Sequence, residues 1–387
     1  NDAIAISLGT SSIIYSTLTG NEVTGATVSK NTIGSIRSAS TYSAIGIAVV
    51  TTANAGTNNI TNNMINDVLA NGSLSDFGAS IVLGGGTAAA NVYFNTINMA
   101  GTLTGGSYDN FGIAVGGTNP TVDIRNNIIV NSSTSGTGFS YALGFAYSTY
   151  TNLTSNYNDL ITSGTASKFV RTGSLASASG TDYTTLAAWQ TASGKDANSV
   201  NTLPVFVSST DVHISNTNPA NSSLDGAGVS GTGITDDIDC TTRNATTPDI
   251  GADEFLLCPA VTVTPVPPSI CAGSGTSVQL TATSSNDPNY TYTWAAPISA
   301  TGAVQTVSPS STTTYTVNAS DNTTGNTYSG CTATALVTVT VNPQPVFTVT
   351  PSNASICVGG SAVKLTAGLS SSTTNTASAS SGTISVS

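Results

Sequence analysis

The sequence has 387 residues and little charge: 8 Lys and Arg against 19 Asp and Glu give a formal net charge of −11 at pH 7. So few basic residues cannot form the positive surface that nucleic-acid binding requires. The hydrophobic content of 39% is too high for a fully disordered chain, and no apolar run is long enough for a transmembrane helix. At roughly 150 residues per domain, the length allows two or three domains.

The first part of the chain contains an internal repeat with a period of 32 residues. Each copy has an aliphatic residue in its first position, Asn in the fourth and Ile in the sixth. The copies are residues 28–33, 60–65, 92–97 and 124–129, with a fifth at 153–156. Such short strands cannot bury their apolar sides alone, but stacked copies can. The repeat therefore predicts a parallel β-solenoid in which Ile33 lies on Ile65, Ile97 and Ile129.

The Asn position indicates a structural role at a sharp corner of each turn. Asn tolerates the left-handed backbone that such corners need, and stacked amides can hydrogen-bond from turn to turn. The predicted asparagine ladder consists of Asn31, Asn63, Asn95, Asn127 and Asn156. This pattern resembles the right-handed parallel β-helix of the pectate-lyase-like superfamily, and the resemblance covers residues 1–255.

From about residue 158 to residue 255 the regular period is lost, and we expect this segment to close the solenoid. The nearest approach to an amphipathic helix is Tyr183–Gln190. The segment ends in Asp-Ile-Gly-Ala-Asp-Glu-Phe at 249–255, which resembles the C-terminal part of secreted β-helix proteins of Bacteroidota. Those proteins usually have Gly where Cys240 stands, so we expect a local disulfide with Cys258. An exposed apolar end needs a cover, and the candidates are Trp189, Phe206 and Phe255.

The remainder of the chain has short alternating runs separated by turn residues, which is typical of a β-sandwich. Residues 256–343 resemble the immunoglobulin-like or PKD-like modules of large Bacteroidota surface proteins, on the segments 269–273, 292–294, 310–315 and 330–334. This resemblance implies a disulfide between Cys271 and Cys331. Residues 344–387 begin a second such module, because Cys357 repeats Cys271; its partner is expected beyond residue 387. The sequence as a whole thus predicts an all-β chain, and one that belongs to a longer exported protein.

Polysaccharide lyases and hydrolases on β-helices need clustered chemistry: an Arg or Lys base, often with Ca²⁺ held by acids, or paired carboxylates. Asp123 and Arg125 share one side of a strand and are expected to form an ion pair. Alternatively, Tyr93 and Arg125 form a surface that contacts a sugar. The densest acidic group consists of Asp236, Asp237, Asp239, Asp249, Asp253 and Glu254. Its candidate Ca²⁺ ligands are Asp236, Asp237 and Asp239, and the alternative role of the group is turn capping with a salt bridge to Arg243. We predict no catalytic residue and no other cofactor.

These observations favour a non-enzymatic structural or adhesive segment of a large exported cell-surface or extracellular matrix protein. Scattered cysteines in a Ser- and Thr-rich chain fit an oxidising compartment. The resemblance to Bacteroidota proteins implies type IX secretion. The expected partners are a carbohydrate or another cell-surface ligand, further copies of the chain, or components of the secretion system. One alternative is a carbohydrate-active β-helix with accessory modules. A second is a self-assembling filament, which would form concentration-dependent polymers.

Overall fold

A computed structural model shows a chain whose regular secondary structure is almost entirely short β-strands, which confirms the predicted all-β class. The residues that it describes are 2–8, 25–51, 56–71, 76–85, 89–103, 105–107, 109–164, 166–176, 179–266, 268–284, 287–325, 328–344, 346–353, 355 and 357–369. The chain divides into two compact units, Asn1–Cys258 and Pro259–Ser387. No helix among the described residues has the length and hydropathy that a membrane span requires.

The first unit is a parallel β-solenoid of about four turns. Strands are numbered in chain order, and three sheets run along the solenoid. Sheet A contains β1 (Ala3–Leu8), β4 (Ala44–Thr51), β7 (Gly78–Gly85), β11 (Asn110–Val115), β15 (Ser140–Phe145), β18 (Val170–Thr172) and the antiparallel β19 (Thr181–Tyr183). Sheet B contains β2 (Thr27–Ser29), β5 (Asn58–Thr61), β8 (Ala90–Tyr93), β12 (Val122–Arg125) and β16 (Leu153–Asn156). Sheet C contains β3 (Thr32–Ser38), β6 (Met64–Ala70), β9 (Thr96–Met99), β13 (Ile128–Asn131) and β17 (Asp159–Thr162). A small pair is formed by β10 (Thr102–Leu103) and β14 (Thr134–Ser135).

The predicted aliphatic stacking is present in the core. Ile33 lies opposite Ile65, which lies opposite Ile97, and Ile97 lies opposite Ile129. All four side chains are buried in one hydrophobic cluster that runs through the solenoid interior. Removing this apolar surface from water, turn after turn, is the main term that stabilises the stack.

The left-handed corner residue is not the ladder asparagine but the residue before it. Positive φ angles between 53° and 60° occur in the chain at Lys30, Asn62, Phe94, Asn126 and Tyr157. Sheets B and C are joined by two residues per turn. The first residue reverses the chain, and the second points its side chain into the interior. The expectation that Asn itself takes the left-handed conformation was therefore wrong.

The end of the regular turns is covered by the helix α1 (Leu186–Ser193). It begins later than expected because the Thr185 side chain accepts the backbone N–H of Ala188 as an N-cap. Trp189 on this helix is buried and stacks on Phe145 of the last long strand of sheet A, with ring centroids 5.6 Å apart. Trp189 thus packs where a cover was predicted.

Residues 199–257, which we name the return segment, do not cover the end but fold back along the outer side of sheet C. They contain a short 3₁₀ helix, Pro219–Ser223. Ile214, Leu224 and Ile250 pack on Ile128, Val130 and Ile161, with Phe206 and Phe255 at the margin. Farther back, Val212 and Ala252 pack on Met64. Phe206 and Phe255 were expected over the solenoid end, and this expectation was wrong because sheet C has apolar residues on both sides.

The described part of the second unit contains two larger sheets and one two-stranded sheet. The antiparallel one contains β20 (Val261–Thr264), β22 (Val278–Ser284) and β25 (Val304–Val307). The other contains β21 (Ser269–Cys271), β23 (Thr291–Trp294), β24 (Ala300–Thr301), β26 (Thr313–Ser320) and β27 (Thr332–Asn342). Trp294 is buried, and its indole N–H donates to the Gly302 carbonyl at 3.0 Å. A separate antiparallel pair follows, β28 (Phe347–Thr350) with β29 (Thr366–Leu369).

Candidate functional site

A row of asparagines lies at the corner between sheets B and C. Asn63, Asn95 and Asn127 are fully buried. The amide Nδ2 of Asn31 donates to Asn63 Oδ1 at 2.8 Å, and the same bond joins Asn63 to Asn95 and Asn95 to Asn127 at 2.9 Å. The backbone N–H of each also donates to the next Oδ1. Four of the five predicted ladder residues are thus confirmed, and their role is to join successive turns.

The fifth ladder position belongs to Asn158, and the prediction of Asn156 was wrong. Asn127 donates to Asn158 Oδ1 from both its side chain and its backbone, at 3.0 Å each. Asn156 lies outside the row, where its Oδ1 accepts the backbone N–H of Tyr157 and of Asn198. The repeat was aligned with Leu153 opposite Ile124, whereas Leu153 pairs with Val122. The last turn is therefore one residue shorter than the 32-residue period, rather than three residues shorter.

The ladder ends on Asp196, a buried carboxylate that the sequence did not single out. Its Oδ1 accepts from Asn158 Nδ2 at 3.2 Å and from Ser155 Oγ at 3.0 Å, and its Oδ2 accepts from Trp189 Nε1 at 2.8 Å. An acceptor-only group suits this end, because the last amide still has N–H groups to satisfy. Asp196 thereby links the ladder to the helix that covers the solenoid.

Tyr93, Asp123 and Arg125 form a closed group on the outer side of sheet B. Arg125 donates to both oxygens of Asp123 at 2.7 Å, which confirms the expected ion pair. Tyr93 donates its hydroxyl to Asp123 at 2.8 Å and accepts from Arg125 at 3.1 Å, and the guanidinium lies over the Tyr93 ring. The pKa of Tyr93 is raised to about 12, mainly by burial and to a smaller extent by the hydrogen bond to Asp123. Tyr93 is only 5% exposed and Arg125 is half-buried, so little of the surface considered for contact with a sugar is open to solvent.

The candidate Ca²⁺ ligands separate into two groups. Asp236 forms an ion pair with Lys30 at 2.6 Å. Asp237 and Asp239 instead lie near Asp253, and one ligand atom from each of these three falls within 4.8 Å of the others. These three are the described residues that could together hold a metal ion. Asp236 was expected in this group, but the solenoid corner at Lys30 holds it outside.

The Asp237 carboxylate also organises the local backbone. Its Oδ1 accepts the N–H groups of Asp239 and Thr241 at 2.9 and 2.7 Å, and its Oδ2 accepts the N–H of Glu254 at 3.0 Å. This is the turn capping that we gave as the alternative to Ca²⁺ binding. The accompanying salt bridge is present too, because Arg243 Nη1 lies 3.1 Å from Glu254 Oε2.

His213 lies beside this acidic group. Its Nδ1 is 2.5 Å from Asp211 Oδ1, and its Nε2 is 3.0 Å from Asp239 Oδ2. Burial lowers the pKa of His213, but the hydrogen bond to Asp211 and the nearby carboxylates outweigh burial and raise it above its ordinary value. These surroundings stabilise the charged imidazole relative to one free in water, and the charged form can donate to the carboxylates on both sides.

Arg243 connects the return segment to the solenoid. Its guanidinium lies 4.0 Å over the ring of Phe94, and Nη2 donates to Asn62 Oδ1 at 2.9 Å and to the Gly251 and Ala252 carbonyls at 3.0 Å. Its side chain is only 1% exposed. The sequence indicated the salt bridge but gave no sign of these contacts, because they join residues far apart in the chain.

Both expected disulfides were wrong. Cys258 and Cys331 are disulfide-bonded, whereas Cys240, Cys271 and Cys357 are free and exposed. Cys271 pairs in register with Asn342 at one end of β27, and Cys331 precedes the other end. The length of β27 separates them by roughly 35 Å, far beyond the reach of a disulfide. Cys240 instead faces Lys30.

No protein-family model, no curated protein and no solved structure matches this chain.

Proposed function

We propose that this chain is a non-enzymatic structural or adhesive segment of a large exported protein, displayed on a cell surface or in an extracellular matrix. The observation that carries the proposal is the pairing of the basic side chains on the solenoid turns. Lys30 is bonded to Asp236, Arg37 to Asp67 and Arg125 to Asp123. A lyase or hydrolase would need such bases and acids directed at a substrate, but each of these three bases is paired with an acid.

The connections between turns also support a mechanical role. The ladder joins neighbouring turns through buried amides. The return segment then crosses the turns from Asp159, which is bridged to Val200, to Lys30, which is paired with Asp236. A solenoid held in these two ways resists separation of its turns, which is what a stalk or fibre requires.

The sequence resemblance supports the finer part of the proposal. It favours a right-handed β-helix followed by immunoglobulin-like modules, a Bacteroidota source and export by type IX secretion. A glycan or another cell-surface molecule is the proposed ligand of the adhesive role.

The test is a degradation assay on pectin, alginate and other acidic glycans, with the whole chain and with Asp123→Asn and Arg125→Gln variants. We expect no turnover from any of them. Arg37→Gln is the matched control, because Arg37 is also paired on the solenoid surface. Turnover that is lost in the Asp123 or Arg125 variant but kept in the Arg37 variant would overturn the proposal in favour of the carbohydrate-active alternative.

A further inference from the structure

An amine, a thiol and a carboxylate meet where the return segment reaches the corner at Lys30. Lys30 Nζ lies 3.2 Å from Cys240 Sγ, although the two residues are 210 positions apart in the sequence. The same Nζ lies 2.6 Å from Asp236 Oδ2. The Lys30 side chain is 27% exposed and Cys240 is free and exposed, so small solutes can reach both atoms.

The fold fixes this meeting of the two side chains. Lys30 and Cys240 both have left-handed backbones, with φ of 59° and 69°, which non-glycine residues keep only where the surrounding structure holds them. Lys30 N–H donates to the Thr61 carbonyl at 3.3 Å. On the other side, Asp236 pairs with Thr242 and its carbonyl accepts from Asn62 Nδ2 at 2.8 Å. The amine and the thiol are thus both carried on anchored backbone.

We propose that Lys30 and Cys240 are a modification site, at which oxidation by dioxygen joins Nζ and Sγ through a single oxygen atom. The Lys30 ammonium first gives one proton to Asp236, and Asp236 passes that proton to solvent, which leaves a neutral amine. One N–H bond and the S–H bond break, and N–O and O–S bonds form to one atom of dioxygen. The other oxygen atom leaves as water with the two hydrogens. Nitrogen and sulfur each give up two electrons, and dioxygen takes up the four.

The bridge would fasten the return segment covalently to the solenoid. Its formation needs only the local geometry, so it does not depend on the proposed structural or adhesive role. The chain supplies a matched comparison in Cys271, a second exposed and free thiol. Among the described residues, the Cys271 thiol has no lysine as a hydrogen-bond partner, so oxidation there cannot give the same product.

The experiment starts from the whole 387-residue chain purified without oxygen, with the disulfide of Cys258 and Cys331 formed and Cys240 still a free thiol. The chain is then exposed to air-saturated buffer, and its intact mass and its peptide map are measured. We expect a product that gains one oxygen and loses two hydrogens, with the Lys30 and Cys240 peptides linked and the link reversed by dithiothreitol. Cys240→Ser and Lys30→Arg should abolish this product, whereas Cys271→Ser should keep it. Lys30→Arg preserves the charge beside Asp236, and circular dichroism checks that each variant is folded.

Three results would overturn the proposal. One is an unchanged mass after oxidation of the folded chain. Another is addition of oxygen to Cys240 without loss of two hydrogens, which is oxidation of the thiol alone. The third is a product that persists in the Lys30→Arg variant, since the bridging nitrogen would then not come from Lys30.

Discussion

Asparagine suits the buried corner of the solenoid because its amide is a donor and an acceptor at once. Asn95 shows this use of both functions: its Oδ1 accepts from Asn63, and its Nδ2 donates to Asn127 and to the carbonyls of Ile60 and Tyr93. An Asp carboxylate has no donor, so it could accept from one neighbour but could not donate to the next. Repetition of one residue type therefore satisfies every turn in the same way.

Two alanine variants test the assignment of Asn158, rather than Asn156, to the fifth position of the ladder. Asn158→Ala leaves the buried N–H groups of Asn127 without their acceptor, so we expect it to lower the free energy of unfolding by about 2–4 kcal/mol. Asn156→Ala should lower it by about 1 kcal/mol or less, because that side chain lies outside the row. Urea denaturation measures both values. Equal losses would contradict the assignment.

Asp159 is a buried carboxyl whose surroundings favour its neutral form. Its Oδ1 accepts the Thr202 N–H at 2.9 Å, but its buried Oδ2 has no hydrogen-bond partner. Burial raises the pKa of Asp159 from 3.8 to about 8. Between these two values the folded chain binds a proton at Asp159 that the unfolded chain has released. The stability that this group contributes is thus complete below pH 4 and is lost as the pH rises towards 8.

An Asp159→Asn variant tests this titration. We expect the wild-type free energy of unfolding to fall between pH 5 and pH 7, with up to about 1.4 kcal/mol per pH unit coming from Asp159. The variant should lose that part of the slope, because an amide does not titrate. Denaturation curves at the two pH values give the slopes. An unchanged slope in the variant would show that Asp159 is already ionised in this range.

At the scale of elements, the return segment is the feature that the repeat did not predict. Strand positions, the aliphatic core and most of the ladder follow from a 32-residue period, because stacked turns repeat the same environment. The return segment has no period, and its residues meet several different turns. Its contacts, such as Arg243 on Phe94 and Asp236 on Lys30, join residues that no local pattern relates. The same reason explains why the disulfides could not be paired from spacing.

Arg243→Met separates the contribution of the return segment from that of surface charge. Removing the buried guanidinium leaves Glu254 and the carbonyls of Gly251 and Ala252 without their donor, so we expect a loss of about 3–5 kcal/mol. Arg37→Met is the matched control. Its ion pair with Asp67 is exposed, with 45% of the Arg37 side chain accessible, and the expected loss is about 1 kcal/mol or less. A loss as small for Arg243 as for Arg37 would show that this contact does not anchor the segment.

At the scale of the whole molecule, Asn1–Cys258 forms one compact unit. A stack of turns alone can separate from its end one turn after another, because each turn contacts only its neighbours. The return segment contacts several turns at once, from Asp159 to Lys30. Separation of the last turn therefore also requires release of this segment. This coupling is the structural basis of the proposed stalk or adhesive function.

Single-molecule pulling on the whole chain tests this central claim most directly. We expect the solenoid to unfold in one cooperative event, and the Arg243→Met variant to unfold at lower force and in several steps. Arg37→Met should behave as the unchanged chain. Stepwise loss of single turns at low force in the unchanged chain would contradict the account, because the return segment would then not hold the turns together.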